Sequence, residues 1–267
     1  MGLQHEKENE KQQEKLKHSN ITKIMLSSSS ASFGIIFLLV VIMGIFSSAF
    51  SPHTTDDSYV YAAITEQQQK ADISLSTLIN QGSPYLGDPS TAHITIIDFS
   101  DFQCYLCARY VKATEPLVNQ TYIQTGKVIL IFKHLPNRGF DSLDAALAAQ
   151  CTNDQGKFWQ FHKKIYDNQK PIDSGWVSKD NLKKFASQIA GLNMQQFEAC
   201  FDNKKYKDFI ENDLKLASSF GFQDTPSFII VNSKDGSNPE ILKGPYPFPS
   251  FKAIIDKKLK EGAENSS

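Results

Sequence analysis

The sequence lacks an excess of charge of either sign, and it is poor in cysteine. Its 267 residues contain 28 Lys and Arg against 29 Asp and Glu, a formal net charge of -1. Without a basic excess or a basic patch, nucleic acid is not an expected partner. Four cysteines are too few for a small fold held together by disulfides. The 40% apolar content instead predicts one substantial domain with its own core.

The cysteines also lack the spacing of a zinc site. Cys104 and Cys107 form a CxxC pair, but Cys151 and Cys200 do not form a second close pair. No cysteine or histidine follows the CxxC pair at zinc-finger spacing. A redox role for Cys104 and Cys107 is therefore favoured, and half of a metal site or a structural bridge are the alternatives.

Charge is absent from a long stretch near the N-terminus, between Lys23 and Asp56. Residues 24–50 of this stretch exceed the roughly 20 apolar residues needed to cross a bilayer, so we predict a single transmembrane helix. The alternative is a signal peptide cleaved near Ala49. An uncleaved anchor is favoured because the leading segment, residues 1–23, is long and carries glutamates, whereas a signal-peptide leader is usually short and basic.

The segments on either side of this span differ in character. Residues 1–23 are polar and contain no aromatic residue, which predicts a disordered tail. Lysines precede the span and aspartates follow it, so the positive-inside rule predicts a cytoplasmic tail and an extracytoplasmic main domain. Residues 51–82 are read as a polar linker with at most one short helix. The folded domain is then predicted over residues 83–262, with a flexible C-terminus at 263–267.

Alternating element types characterise this domain. Ile94–Phe99 is an apolar run typical of a buried strand, and a helix is predicted from Tyr105 to about Gln120 with a kink at Pro116. Lys127–Lys133 is the next buried strand, which implies parallel pairing through a right-handed crossover. Residues 140–220 show only helical patterns. Two further strands and a helix are predicted at the end: Ser227–Val231, Glu240–Lys243 and about Ser250–Lys260.

The position of Cys104 suits nucleophilic chemistry. It lies where the strand gives way to the helix, and Cys107 follows one turn later. Unpaired backbone N–H groups and the helix dipole at a helix N-terminus favour a thiolate over a thiol. The thiolate is the attacking species in disulfide exchange.

Several separated motifs resemble those of the DsbA-like thiol–disulfide oxidoreductases of the thioredoxin superfamily. They are Gly87-Asp-Pro, the run from Asp98 to Cys104, the stretch from Gly156 to His162, and Thr225-Pro226. The resemblance covers residues 83–262. It implies a thioredoxin-like α/β fold with an inserted helical subdomain. It also implies exchange of disulfides with thiols of exported proteins, without a bound cofactor, and reoxidation by a DsbB- or VKOR-like membrane partner.

The resemblance assigns roles to four of these residues. Cys104 becomes the attacking cysteine and Cys107 the buried resolving one, while Thr225 and Pro226 form a cis-proline loop that faces them and binds substrate. A cis peptide bond is tolerable at proline, and proline leaves neighbouring backbone groups free to pair with a peptide. The alternative is an ordinary trans proline that begins a strand.

Asp98 lies six residues before Cys104, where members of the superfamily often have a buried acid. A carboxyl group in an apolar strand has a raised pKa and would relay a proton to or from Cys107. The alternative is a carboxylate paired with a lysine such as Lys133.

Cys151 and Cys200 each share an apolar helical face, which suits buried free cysteines. In an exported domain they are more often paired, and the resemblance supports a structural disulfide between them.

The motif departs from the best-known oxidants, which have His at the second position between the cysteines; here the two positions hold Tyr105 and Leu106. Oxidase activity is favoured, but a reductase or isomerase and a metal- or peptide-binding module stay open as alternatives. His134 and His162 are predicted at the surface or the core edge rather than as ligands.

Overall fold

The computed structural model describes residues 72–264. The predicted tail of residues 1–23, the predicted span of residues 24–50, most of the predicted linker and residues 265–267 of the predicted flexible C-terminus lie outside these residues. Within residues 72–264, none of the helices combines the length and the apolar character needed to cross a membrane.

A five-stranded mixed sheet forms the centre of the described region. Its strands, in chain order, are β1 (Tyr85–Leu86), β2 (Ile94–Ser100), β3 (Val128–His134), β4 (Ser227–Asn232) and β5 (Glu240–Lys243). The spatial order is β1-β3-β2-β4-β5; β2 and β3 pair in parallel, and the other neighbours pair antiparallel. β2 and β3 are buried along their whole length, which explains why both read as nearly continuous apolar runs.

Helices precede, connect and follow these strands. They are α1 (Leu75–Asn80), α2 (Tyr105–Ala113), α3 (Glu115–Val118), α4 (Ser142–Asn153), α5 (Phe158–Asp167), α6 (Lys179–Ser187), α7 (Met194–Asp202), α8 (Lys207–Ser219) and α9 (Phe248–Glu264). From β2 onwards, the predicted order of strand, helix, strand, helical block, two strands and helix is confirmed, whereas α1 and the short edge strand β1 were not part of this predicted order. The helical block between β3 and β4 is the predicted insertion.

The two faces of the sheet bury different helices, because successive strand residues point to opposite sides. Ile96 of β2 belongs to the larger core, which contains the buried residues of α2, α5 and α9. Ile97 belongs to the smaller core, together with residues of α1 and Ala217 of α8. The larger core also surrounds Cys104 and Cys107, so the CxxC motif lies on the face that carries the insertion.

The first helix after β2 differs from its prediction. A single kinked helix to about Gln120 was expected, but α2 ends at Ala113, and α3 begins at Glu115 with Pro116 in its first turn. Proline has no backbone N–H to donate and fits the first turn of a helix, so Pro116 starts a new helix. A π-helical turn over Asn119–Ile123 then leads towards β3.

The start of the domain was predicted too late. Leu75 and Leu78 of α1 are buried in the smaller core, and the side chain of Ser74 caps this helix by accepting a hydrogen bond from the Thr77 N–H. Residues 72–82 are therefore packed against the sheet, although they were assigned to the polar linker. At the other end, α9 continues to Glu264, past the predicted domain end at residue 262.

Candidate active site

Cys104 caps the N-terminus of α2, and Cys107 lies in the first turn of that helix. Cys104 has extended backbone angles, and its N–H donates to the Asp101 carbonyl at 3.0 Å. Cys104 is 3% exposed and Cys107 is fully buried, and both are free thiols in this structure. The strand-to-helix junction therefore leaves a small part of Cys104 accessible and buries Cys107 completely.

The surroundings of Cys104 favour its thiolate. The Cys107 thiol donates a hydrogen bond to it, and this contact is the largest cause that lowers the pKa of Cys104, to about 6. Burial opposes the shift, whereas the Thr225 hydroxyl and the backbone N–H groups of Leu106 and Cys107 support it. With a pKa of about 6, most Cys104 is ionised at neutral pH and ready for nucleophilic attack.

The surroundings of Cys107 have the opposite effect. Burial raises its pKa well above the usual value, and the adjacent Cys104 and the negative charge of Asp98 raise it further. Cys107 therefore keeps its proton while Cys104 loses its own. The two sulfurs of one short motif are chemically distinct.

The loop before β4 faces this motif. The peptide bond between Thr225 and Pro226 is cis. The Cys104 thiol donates to the Thr225 carbonyl at 3.2 Å, and the Pro226 carbonyl accepts from the Gly244 N–H at 2.8 Å. The structure thus brings together the CxxC motif and the Thr225-Pro226 pair, which are more than 100 residues apart in sequence.

Asp98 lies on β2, beneath the motif, and is only 1% exposed. Its Oδ1 accepts a hydrogen bond from the Ser100 hydroxyl at 2.5 Å, whereas its Oδ2 is buried without a hydrogen-bond partner. Burial raises the pKa of Asp98 to about 7, against the effect of the Ser100 hydrogen bond, and the charge of Cys104 adds to the rise. A carboxyl group with this pKa is able both to accept and to donate a proton near neutral pH.

The alternative partner for Asp98 is engaged elsewhere. Lys133 Nζ lies 2.8 Å from Oδ1 of Asp213 on α8, and both side chains are buried. In the pairing of β2 with β3, Asp98 lies opposite Phe132, so Lys133 points to the other face of the sheet. Because successive side chains of β3 point to opposite faces of the sheet, Lys133 and Asp98 lie on different faces and do not pair.

A second acid with a raised pKa, the partly buried Glu115, was not anticipated. Burial raises the pKa of Glu115 to about 8, and the charge of Asp98 contributes to the rise. Its Oε2 lies 3.9 Å from Nε2 of His162, and neither atom has a hydrogen-bond partner. Burial lowers the pKa of His162 to about 3, so both groups are neutral at pH 7 and do not form an ion pair.

The predicted location of the two histidines, at the surface or the core edge, was wrong. His134 and His162 are fully buried or nearly so, and His134 forms a hydrogen bond with Gln150 at 3.1 Å. Burial lowers the pKa of His134 to about 4. The two rings pack against aromatic side chains of β3 and α5, His134 against Phe158 and His162 against Phe132. These are tertiary contacts, which the local sequence around each histidine does not indicate.

Asp101 joins the motif to its surroundings and was also missed. Its Oδ1 accepts from the Gln103 N–H at 2.7 Å and the Ser142 hydroxyl at 2.9 Å. Its Oδ2 accepts from the N–H groups of Asn137 and Arg138, each at 2.8 Å. One carboxylate therefore connects the loop before Cys104 with the β3–α4 loop and the start of α4. An aspartate in the run Phe-Ser-Asp-Phe-Gln was the available signal.

The insertion also holds the motif directly. Gln169, just after α5, donates to the carbonyls of Phe102 at 2.9 Å and Cys104 at 3.0 Å. The Tyr166 hydroxyl donates to the Asp101 carbonyl at 3.1 Å. These bonds satisfy carbonyl groups in an irregular buried segment and fix the start of α2.

Cys151 and Cys200 lie away from the motif, on two helices of the insertion. They form a disulfide between α4 and α7, with Cα atoms 5.8 Å apart and a sequence separation of 49 residues. Both residues are buried. Among residues 72–264, no three His, Cys, Asp or Glu side chains form a group able to hold a metal ion.

Comparison with known proteins agrees with this geometry. A family model described as thioredoxin matches residues 79–257, which is more than half of the chain. A probable disulfide bond formation protein D of Bacillus cereus is 28% identical over 240 residues, covering 89% of this chain and all of the relative. Disulfide bond formation protein D of Bacillus subtilis is 27% identical over 182 residues, and this match covers 67% of this chain and 78% of the relative.

Solved structures show the same likeness. Oxidised BdbD of Bacillus subtilis superposes with a TM-score of 0.60 at 25% identity, covering 67% of this chain and 94% of that chain. The α-DsbA1 protein of Wolbachia pipientis gives a TM-score of 0.59 at 29% identity, covering 69% of this chain and 94% of that chain. The predicted thioredoxin-like fold with a helical insertion is thereby confirmed.

Proposed function

Because the chain belongs to the DsbA-like thiol–disulfide oxidoreductases of the thioredoxin superfamily and is a protein-disulfide oxidoreductase, we propose that it works as an oxidase. In this role the disulfide between Cys104 and Cys107 passes to thiols of exported proteins. The observation that carries this direction is the opposite pKa shift of the two cysteines.

A stabilised Cys104 thiolate favours the reduced protein. When reduction of a disulfide yields a thiolate held by hydrogen bonds, the disulfide accepts electrons more readily. The low pKa of Cys104 also makes it a good leaving group from a mixed disulfide. Both effects favour transfer of the disulfide to the client over reduction of a disulfide in the client.

The exchange proceeds in two displacements. A client thiolate attacks Cys104 Sγ, the bond to Cys107 breaks, and Cys107 leaves as a thiolate that takes up a proton. A second client thiolate then attacks the client sulfur of the mixed disulfide and releases Cys104 as a thiolate. The client dithiol loses two electrons and becomes a disulfide, while the Cys104–Cys107 disulfide gains them and becomes a dithiol.

Asp98 is the proposed proton source for Cys107 in the first displacement. It is buried beneath the motif, interacts electrostatically with Cys107, and its pKa of about 7 suits proton transfer at neutral pH. When the pair is reoxidised, Asp98 takes the proton back as Cys107 attacks.

Thr225 and Pro226 are the proposed docking edge for the client. The Thr225 carbonyl lies 3.2 Å from Cys104 Sγ, so a peptide that pairs with this loop brings its own sulfur next to Cys104. Pairing through main-chain groups accepts many sequences, which suits an enzyme that acts on many exported proteins.

The proposed location is the outer side of a membrane, with residues 24–50 as an uncleaved anchor and residues 1–23 in the cytoplasm. The uncharged, apolar character of residues 24–50 and the positive flank before them support this arrangement. Release after cleavage near Ala49 is the alternative. A DsbB- or VKOR-like membrane protein is the proposed partner for reoxidation.

The function is tested with the oxidised full-length protein in detergent and a reduced peptide that contains two cysteines. We expect rapid transfer of the disulfide to the peptide, with one peptide disulfide formed for each Cys104–Cys107 dithiol. A reductase would leave the reduced peptide largely unchanged and would instead reduce a disulfide-bonded peptide when supplied with a reductant. Loss of both reactions would favour the binding-module alternative.

The location is tested by expressing the full-length chain and washing the membranes with alkaline carbonate. An anchored protein stays in the membrane fraction at its full mass, and external protease removes its folded domain. A soluble product whose N-terminus lies near Ala49 would establish cleavage.

A further inference from the structure

The CxxC motif contains no cation that explains its electrostatics. Tyr105 and Leu106 separate the two cysteines, and both side chains are exposed. The ionisable neighbours of Cys104 on β2, α2 and α5 are Asp98, Cys107 and Tyr166, and none of these three side chains is cationic. A positive charge is instead linked to the site by a hydrogen bond from the loop between β3 and α4.

That charge is the guanidinium of Arg138, in the loop between β3 and α4. Arg138 Nε donates to Oγ1 of Thr225 at 3.2 Å, and Nη2 donates to Oδ1 of Asp224 at 3.0 Å. Thr225 is 1% exposed, whereas the Arg138 side chain is 30% exposed. The guanidinium therefore reaches inward from the rim to the residue before the cis proline.

The hydrogen bond from Arg138 determines what the Thr225 hydroxyl does. Because Oγ1 accepts from a cation, its own proton is free to be donated elsewhere. Thr225 is in contact with Cys104, whose Sγ lies 3.2 Å from the Thr225 carbonyl, and hydrogen bonding by the Thr225 side chain lowers the pKa of Cys104. Acceptance from a charged donor polarises the hydroxyl and makes it a stronger donor. A route of hydrogen bonds is therefore available from the Arg138 guanidinium through the Thr225 hydroxyl to Cys104.

The backbone of this loop is fixed independently of the guanidinium. The N–H groups of Asn137 and Arg138 donate to Asp101, and the Asn137 side chain donates to the Gln223 carbonyl at 2.7 Å. A Cβ atom at Gly139 would clash with the side chains of Gln103 and Asp173. Replacing the Arg138 side chain therefore leaves the anchors of the loop in place.

We propose that Arg138 is a positioning residue that, through the Thr225 hydroxyl, stabilises the Cys104 thiolate and sets how strongly oxidising the Cys104–Cys107 pair is. This inference rests on the proposed oxidase function. The positive charge that the CxxC motif lacks is supplied by Arg138, which is distant in sequence and is linked to Cys104 by tertiary contacts. Asp224, whose side chain is 83% exposed, pairs with the same guanidinium and moderates its effect.

The test uses the full-length protein and the substitution Arg138→Gln. The Cys104 pKa is measured from thiolate absorbance at 240 nm during a pH titration, and the redox equilibrium is measured against glutathione. We expect a higher Cys104 pKa and an equilibrium shifted about three- to ten-fold towards the oxidised protein, since a charged hydrogen bond is being lost.

The matched control is Arg109→Gln, which removes the same charge from an exposed position on α2. It is expected to leave the Cys104 pKa and the glutathione equilibrium within the error of the wild type. Asp224→Asn is expected to shift the equilibrium in the opposite direction by less than about two-fold, because an exposed ion pair is weak. Arg138→Met, which keeps the aliphatic stem, replaces Arg138→Gln if that variant unfolds.

The route through Thr225 is tested by a double-mutant cycle. Thr225→Val removes the hydroxyl and keeps the shape, so Arg138→Gln in that background is expected to change the equilibrium by less than about 1.5-fold. An equal effect of Arg138→Gln in both backgrounds would overturn the relay. An unchanged Cys104 pKa in Arg138→Gln would overturn the whole inference, while disulfide transfer by the wild type would still support the oxidase function.

Discussion

The two cysteine pairs of this protein contain the same functional groups but differ in state and in role. Cys104 and Cys107 are close in sequence, remain free thiols here and have pKa values shifted in opposite directions. Cys151 and Cys200 are 49 residues apart and are joined in a disulfide between two helices of the insertion.

The difference lies in what surrounds each sulfur. In the first pair, a helix N-terminus and the Thr225 side chain lower the pKa of Cys104, whereas burial and the charge of Asp98 raise the pKa of Cys107. The second pair joins α4 to α7 inside the larger core, and its effect is to limit the freedom of the unfolded chain. Local hydrogen bonds and charges decide which pair exchanges and which pair stabilises.

The largest expected effect comes from Cys104→Ser. Without the nucleophilic sulfur no mixed disulfide forms, so disulfide transfer to a reduced peptide is expected to fall by roughly three orders of magnitude or more. The Cys151–Cys200 bridge stays intact, which mass spectrometry after alkylation verifies. If transfer persisted in this variant, the assignment of roles to the two pairs would be reversed.

The double variant Cys151→Ala, Cys200→Ala tests the other side of the comparison. Loss of the bridge is expected to lower the free energy of unfolding by about 2 to 4 kcal/mol, because the unfolded chain regains freedom. Urea unfolding of the full-length protein measures this change. The rate of disulfide transfer per folded molecule should match that of the wild type, and a large loss of rate would give this bridge a catalytic role.

Asp98→Asn changes the surroundings of the first pair alone, because it removes the buried acid beside Cys104 and Cys107. Asp98 has a folded-state pKa of about 7, above its unfolded value, so its ionisation destabilises the fold increasingly as pH rises from about 4 towards 7. The variant is therefore expected to be more stable than the wild type at pH 7.5, by roughly 2 to 4 kcal/mol.

The same variant should also lose a feature of the pH profile. The step in which Cys107 is deprotonated is expected to slow, and the inflection near pH 7 in the reoxidation rate is expected to disappear. Ser100→Ala is a useful contrast, because it removes the hydrogen bond to Asp98 and keeps the acid. An unchanged profile in Asp98→Asn would rule out the proton relay.

The smallest expected effect comes from Leu106→His, which adds a cation next to Cys104. An imidazolium beside the thiolate lowers the Cys104 pKa, so the glutathione equilibrium is expected to shift about three- to ten-fold towards the reduced protein. Tyr105→His, one position earlier, is the comparison variant. A shift in the opposite direction in Leu106→His would show that the site does not favour the thiolate electrostatically.

Local patterns in the sequence were sufficient for much of this account. The apolar run of β2, the position of Cys104 at the start of α2 and the helical block between β3 and β4 follow from periodicity and spacing. The order of the elements was predicted for the same reason. The break after Ala113 was missed because Pro116 fits both a kink and a new helix start.

Tertiary contacts were the part that local patterns did not reveal. Lys133 pairs with Asp213, 80 residues later, on the face of the sheet opposite Asp98. Arg138 reaches Thr225 across 87 residues, and the Asp101 carboxylate accepts hydrogen bonds from four groups in three segments. These residues are polar and ordinary in their local context, so only the folded chain reveals what they contact.

The central claim is that Cys104 and Cys107 form an oxidising pair, and the redox equilibrium of the full-length protein with glutathione tests it most directly. We expect a potential more positive than about −200 mV, because the reduced form is stabilised as a Cys104 thiolate. A potential near −270 mV, typical of a reductase, would contradict it.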